Sequence, residues 1–314
     1  MPVEKTYPIE RSPFYRLRKK SKLAELLGVS ETDFRKVGAV ENYNVFMKRE
    51  LGKKPREIQE PVGKLKLVHQ KIHRLLRRVE SPDYLFSGKR RLSSLDNAKS
   101  HIGQNFILTV DIQGFFPNSR AEYICSFLCS QMKMSNDVAR MLTDIVTYNG
   151  CVPTGSALSM MVAYWAYSKT FDSFYTLAKK KGMKFTLYVD DMTFSSPQRI
   201  PLSFHTSINY HLSRIGLQLK RRKIQYYSEN HFKVVTGSAI SPKGEKLVPN
   251  RIRKKILEKL RSCGDLKTTD EKTLHSLHGS LVSARQIEPR FFEPTYRRVK
   301  KAILDRRNEK SGTN

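Results

Sequence analysis

The chain has 314 residues, with 58 Lys and Arg against 29 Asp and Glu and a formal net charge of +29. That length suits one large or two to three small lobes, and 39% hydrophobic residues exclude wholesale disorder. The charge calls for a polyanionic partner, nucleic acid ahead of a membrane surface.

The opening stretch, "MPVEKTYPIERSPFYRLRKK", holds no apolar core of the kind a secretion signal needs. A helix is expected over 64–79, "KLKLVHQKIHRLLRRV", where Leu65, Val68, Ile72, Leu75, Leu76 and Val79 recur at helical spacing. Lys64, Lys71, Arg74, Arg77 and Arg78 decorate the remaining surface. A solvated face would explain these charges, but their number favours a surface that meets phosphates. Ser81-Pro82 ends the segment. A strand is expected at 105–112, "NFILTVDI", followed by helices at 119–131, 135–147 and 157–178. Cys125 and Cys129 stand four apart on the first of these helices, where packing explains them better than metal binding. The four cysteines have no metal-finger spacing, which fits a reduced, cytoplasmic protein. Residues 145–168 carry no charge, yet Asn149, Gly150, Pro153, Thr154, Gly155, Ser156 and Ser159 exclude a membrane span.

Next comes "KFTLYVDDMTFSS". Phe185, Leu187 and Val189 alternate with Lys184, Thr186 and Tyr188, the period of a half-buried strand. Met192 and Phe194 continue the alternation beyond Asp190 and Asp191, so two strands are expected to meet at a turn with both acids at its tip. Asp is an ordinary turn residue, but two adjacent carboxylates repel and are costly without a cation or water to accommodate them. A helix at 201–215, short strands within "HFKVVTGSAI" and basic helices from "NRIRKKILEKLRS" to "RRVKKAIL" complete an α+β pattern, and "DRRNEKSGTN" is expected to fray.

A partner for the acid pair is Asp111, which ends the apolar strand of "FILTVDIQGFFPN". Strand ends present side chains to clefts, so the three acids can converge. Without His or Cys support they form a hard oxygen set suited to Mg²⁺ or Mn²⁺. Two such ions, about 4 Å apart, would clamp the attacking and leaving oxygens of a phosphoryl transfer. With a basic surface, the substrate would be a nucleotide joined to nucleic acid.

On these residues the chain resembles bacterial reverse transcriptases of the retron class. "YVDD" matches the family's Tyr-x-Asp-Asp box, and "DIQGFFPN" its first catalytic aspartate. "NAKSH", with Asn97 and His101, matches a retron Asn-Ala-x-x-His segment, and Val235-Thr236-Gly237 the retron Val-Thr-Gly segment. The match covers roughly residues 40–300.

The resemblance implies a right-hand polymerase with fingers over 1–104, palm over 105–245, and a helical thumb and tail over 246–314. It makes Asp111, Asp190 and Asp191 the catalytic ligands of two Mg²⁺ ions. It makes Phe116 the bulk that excludes a ribose 2′-hydroxyl, Arg56 a grip on the incoming triphosphate, and Lys223 a further nucleotide contact. Gly155 would permit close approach of nucleotide or template. Asn97, His101, Val235, Thr236 and Gly237, with the thumb's Arg251, Arg253, Lys254 and Lys255, would bind RNA. Core packing for Phe116 and solvated surface charge for Arg56 and Lys223 are the competing explanations.

The implied partners are dNTPs, a cognate structured noncoding RNA that is both primer source and template, and its branched RNA–DNA product. A separate effector or toxin in antiphage defence and host RNase H complete the set, with no membrane involved. The chain is expected to end after the thumb, without a fused effector. One segment departs from the family: "VPTGSALSM" stands where Pro-Gln-Gly-Ala-Pro-x-Ser-Pro is usual, so Thr154 replaces a glutamine. That departure keeps an untemplated DNA polymerase in view. A scaffold that binds RNA and restrains an effector is the non-catalytic alternative.

Overall fold

The structure, a computed structural model, describes residues 5–49, 54–266 and 268–311, with side chains to 308. In chain order the elements are α1 (Lys20–Leu27), α2 (Phe34–Gly38), β1 (Tyr43–Lys48), β2 (Arg56–Pro61), α3 (Gly63–Leu76), α4 (Ser94–Lys99) and β3 (Phe106–Asp111). Then come α5 (Phe115–Asn118), α6 (Ala121–Ser130), α7 (Asn136–Val146), α8 (Ser159–Lys180), β4 (Lys184–Tyr188), β5 (Asp191–Ser196) and α9 (Phe204–Ser213). The last are β6 (Gln225–Tyr227), β7 (Lys233–Val235), β8 (Ser238–Ile240), β9 (Lys246–Leu247), α10 (Asn250–Cys263), α11 (Glu271–Ile287) and α12 (Glu293–Ser311). This is the α+β class expected. The tail expected to fray is helical as far as Ser311, and residues 312–314 lie outside the described ones.

The chain forms two compact units, 1–92 with 108–226, and 93–107 with 227–314. In the first, the sheet runs in the order β4-β5-β3-β6, and β1 and β2 form a separate antiparallel hairpin. The 22-residue α8 is its spine. Tyr164, Tyr167, Phe171 and Phe174 are buried along it, and α6 and β4 pack against it. It stops at Gly182, whose left-handed φ of 66° suits a glycine and lets Met183 N–H return to the Ala178 carbonyl at 2.9 Å. The strands of the acid-bearing hairpin were expected to be half-buried, but Thr186, Thr193, Ser195 and Ser196 are buried along with the apolar residues. Both faces of β5 are therefore covered, and small hydroxyl residues fill one of them.

The helix expected at 64–79 is α3, which buries Leu65, Val68, Ile72 and Leu76 and, with them, His69. The His69 ring lies 2.8 Å from the Ile145 carbonyl through Nε2 and 2.8 Å from Ser156 Oγ through Nδ1. A carbonyl only accepts, so Nε2 carries the proton and Nδ1 accepts from the serine hydroxyl. The neutral ring thus fastens α3 to α7 and to the 153–158 segment. Desolvation, opposed by the carbonyl bond, pushes its pKa down to about 4 from 6.5.

Below pH 6.5 the unfolded chain takes up a proton that the folded one refuses. The His69 contribution to stability should therefore fall as pH drops from 6.5 towards about 4 and level off below that. The loss is on the order of 3 kcal/mol. Thermal melts across this window should slope less steeply for His69→Gln than for wild type, and equal slopes would count against the linkage.

In the second unit, β7, β8 and β9 form an antiparallel sheet, and α4 packs against β8. Ser93 and Asp96 close a capping box at the start of α4. Ala98, Ile107, Val235 and Ile240 make a small core. The three C-terminal helices bury Ile256, Leu274, Leu277, Leu281 and Val299 in a second.

Candidate active site

Asp111 ends β3 and is 3% exposed. Its backbone is fixed by its neighbours in the sheet. Lys220 N–H donates to the Asp111 carbonyl at 2.8 Å, and Ile112 N–H donates to the Asp190 carbonyl at 3.0 Å. The second bond ties the end of β3 to the turn between β4 and β5. That turn differs from the expected tip of two acids. Tyr188 pairs with Asp191, so the loop is Val189-Asp190 and Asp191 already belongs to β5. Val189 has a φ of 60°, a left-handed conformation that a β-branched residue rarely adopts. Its N–H is held by Ser87 Oγ at 3.0 Å, a partner that no sequence signal marks. The strained turn aims two successive carboxylates at Asp111.

Asp111, Asp190 and Asp191 each offer an oxygen within 4.8 Å of the others. Burial, and then the Asp111 charge, raise the Asp190 pKa above the usual carboxylate range. Burial and the Asp190 charge push Asp191 up to about 7, against the opposing pull of Lys223. Without a cation the cluster holds more negative charge than its surroundings tolerate. The Lys223 ammonium supplies part of the remedy: it donates to Asp111 and lies 3.9 Å from Asp191. Burial works against its charge, but these carboxylates raise its pKa.

A donor set of three hard oxygens that already attracts a cation fits Mg²⁺ or Mn²⁺. Asp111, Asp190 and Asp191 are the residues that would hold it. If Lys223 competes for the same oxygens, Lys223→Gln should tighten Mg²⁺ binding about fivefold or more. Calorimetric titration checks this, and unchanged or weaker binding would show that the lysine does not compete.

The other expected residues fall into three groups. Phe116, in α5, is half-buried, 5.9 Å from the Phe115 ring. Phe115 takes the core position, against Tyr167 and Phe171, so core packing accounts for Phe115 and leaves Phe116 partly open. Arg56 begins β2 opposite Lys48 and is exposed. Gly155 meets the same strand: its N–H donates to the Gln59 carbonyl at 3.1 Å. A Cβ there would lie 2.6 Å from that oxygen. The chain's own β2 backbone thus makes a close approach to Gly155. Thr154 joins it, with its N–H on Gln59 Oε1 at 2.9 Å and its hydroxyl on the Glu57 carbonyl at 2.9 Å.

Asn97, His101 and Val235 are fully buried. Thr236 accepts from Asn97 Nδ2 at 3.4 Å and donates to the Ser94 carbonyl at 2.7 Å. Thr236 and Gly237, at φ 41° and 85°, form the two-residue loop between β7 and β8. Asn97 and Thr236 brace one another, and Gly237 alone of the five is exposed. On α10, Arg251, Lys254 and Lys255 are exposed. Arg253 is engaged inside its own unit: Nη2 reaches Glu288 at 2.6 Å, Nε the Val248 carbonyl at 2.8 Å, and the guanidinium lies over Phe291. Among the described residues, no helix is long and apolar enough to cross a membrane.

No protein-family model matches the chain. It is 29% identical over 157 residues to the retron Se72 reverse transcriptase of Salmonella heidelberg (strain 579083-10), covering 50% of this chain and 41% of that one. It is 26% identical over 274 residues to the retron Ec83 reverse transcriptase of Escherichia coli, covering 80% and 85%. The chain therefore spans less than half of the Se72 protein and most of the Ec83 protein. Among solved structures, telomerase from Candida albicans, in complex with a fragment of telomeric RNA, aligns with a TM-score of 0.47 at 12% identity, covering 82% of this chain and 56% of that one. The three acids, and relatives aligned over up to four-fifths of the chain, agree with the motifs: this chain is a relative of the retron reverse transcriptases.

Proposed function

We propose that the chain is a retron-type RNA-directed DNA polymerase. It copies part of a cognate structured noncoding RNA into DNA, primed from an RNA 2′-hydroxyl, and yields a branched RNA–DNA product in antiphage defence. The observation that carries the reading is the convergence of Asp111, Asp190 and Asp191 at the ends of neighbouring strands, with Lys223 among them. In this reading residues 1–104 serve as fingers, 105–245 as palm and 246–314 as thumb, and the protein works in the cytoplasm.

Two Mg²⁺ ions, when bound, would neutralise phosphate charge and activate the attacking hydroxyl. The chain's own residues do the rest. The sheet fixes the acids in place, and the ring of Phe116 crowds the sugar of the incoming dNTP. Arg56 and Lys223 offer positive charge to its phosphates, and Arg251, Lys254 and Lys255 offer it to the RNA. A separate effector and host RNase H complete the system.

The test is to purify the protein, sequence the nucleic acid that comes with it, and assay dNTP incorporation with and without that RNA. Products that copy one defined RNA and carry a 2′-branch are expected. Incorporation independent of any template would favour untemplated synthesis. Thr154 is the observation behind that second reading, since its hydrogen bonds go to β2 where the family usually has a glutamine.

Phe116→Ala should raise rNTP relative to dNTP incorporation by about 10-fold or more, the scale for a pocket that loses a hydrophobic wall. Steady-state kinetics with paired nucleotides measures the ratio. An unchanged ratio in a folded, active variant would return Phe116 to a packing role.

A further inference from the structure

The basic face of α3 has no part in the site described above. A groove of about 640 Å³ runs beside it, lined by Lys64, Leu67, Lys71, His73, Arg74 and Arg77 together with the end of α1, and no acidic side chain lines it. Lys64 lies 3.9 Å from Asp33, in an exposed pair that holds little. From Lys64 to Arg77 the cations cover about 20 Å of helix axis, a length that several phosphates of one nucleic-acid strand occupy.

Among the basic residues of the segment, Lys66 pairs with Glu60 at 3.1 Å. Arg78 donates to the Lys5 carbonyl at 3.1 Å and lies over the Tyr7 ring. The Lys71 ammonium sits beside Gly28 at the end of α1, where free carbonyls attract a cation. Lys64, Arg74 and Arg77 are exposed. No Phe, Tyr or Trp lines the groove, and its one aromatic ring is the His73 imidazole. Single strands are held by stacking bases on rings, whereas a paired helix keeps its bases inside and shows rows of phosphates.

We propose that the α3 groove is a docking surface for the phosphate backbone of a base-paired RNA stem, contacted by Lys64, Arg74 and Arg77. The inference rests on the RNA-binding part of the function proposed above and assigns it a surface remote in sequence from the thumb helices.

The test uses the full chain and a triple variant, Lys64→Gln, Arg74→Gln and Arg77→Gln, with thermal melts to establish that it folds. The probes are a blunt RNA hairpin stem, a single-stranded RNA of equal length and a poly-glutamate peptide, each titrated at several salt concentrations. For the stem, the variant should bind about 10-fold more weakly, and the slope of log K against log salt should fall by about 2. The charge-retaining variant Lys64→Arg, Arg74→Lys and Arg77→Lys should keep the wild-type slope. Unchanged stem affinity and slope would overturn the proposal. So would a loss confined to the single strand, or an equal loss for poly-glutamate, which would assign the groove to acidic proteins. A wild-type chain that binds the stem with the expected slope but extends no primer would sink the polymerase reading and support the groove.

Discussion

Asparagine in place of both Asp190 and Asp191 should reduce dNTP incorporation by at least about 10⁴-fold, since losing one electrostatic stabiliser typically costs 10²–10³ and here the metal-binding set itself is removed. Asparagine keeps the shape of each side chain, so β4, β5 and the strained turn at Val189 have no steric reason to move. The folded chain should if anything gain. Burial raises both pKa values, with the Asp111 charge adding to it at Asp190 and the Asp190 charge at Asp191, and the amides remove that repulsion. Without metal at neutral pH, the double variant should therefore melt no lower than wild type. In the proposed reading RNA affinity should also persist, because it would come from Lys and Arg spread over the surface. Primer extension, thermal melts and RNA binding on the same preparation separate these effects. Retained extension would remove the metal-site assignment, whereas an early melt would mean that the carboxylates hold the hairpin together.

How far the sequence foretold the site depends on the residue. Asp111, Asp190 and Asp191 were legible because acids at the ends of apolar strands are conspicuous, and the elements that carry them have clear periods. Lys223 was less so: four basic residues stand together at 220–223, and the sheet register decides which one turns towards Asp111. Ser87 was invisible, since a serine in a loop carries no mark of the N–H it holds 102 residues away.

The β1–β2 hairpin escaped because β1 exposes five of its six residues and so shows no alternation of apolar and polar positions. Arg253 looks the same in sequence as Arg251, yet one is engaged with Glu288 and the other is exposed. The Asn-Ala-x-x-His and Val-Thr-Gly segments stood out as motifs. That they pack on each other, with Asn97 and Thr236 139 residues apart, is tertiary information that no local pattern holds.

Gly155→Ala is the substitution expected to damage the fold most for its size. Gly155 lacks the positive φ that would by itself demand glycine, so the constraint is space. An added Cβ would lie 2.6 Å from the Gln59 oxygen, 2.8 Å from its carbonyl carbon and 2.9 Å from the Glu60 Cα. All three belong to the backbone of β2, which is paired to β1 and cannot rotate aside as a side chain could. Either β2 retreats or the 153–158 segment does. Retreat would break the hydrogen bonds that Thr154 and Gly155 make to Glu57 and Gln59, so the expected cost is about 1–3 kcal/mol, or about 2–4 °C in melting temperature for each kcal/mol. If Arg56 on β2 grips the triphosphate as proposed, the KM for dNTP should rise as well. Gly279 is the control: it lies within α11 without a positive φ, and an added Cβ would meet nothing within 4 Å, so Gly279→Ala should stabilise by about 0.5–1 kcal/mol. If Gly155→Ala melts like wild type and only KM changes, the glycine serves a bound nucleotide or template. If the melt drops first, the close approach belongs to the protein's own β2.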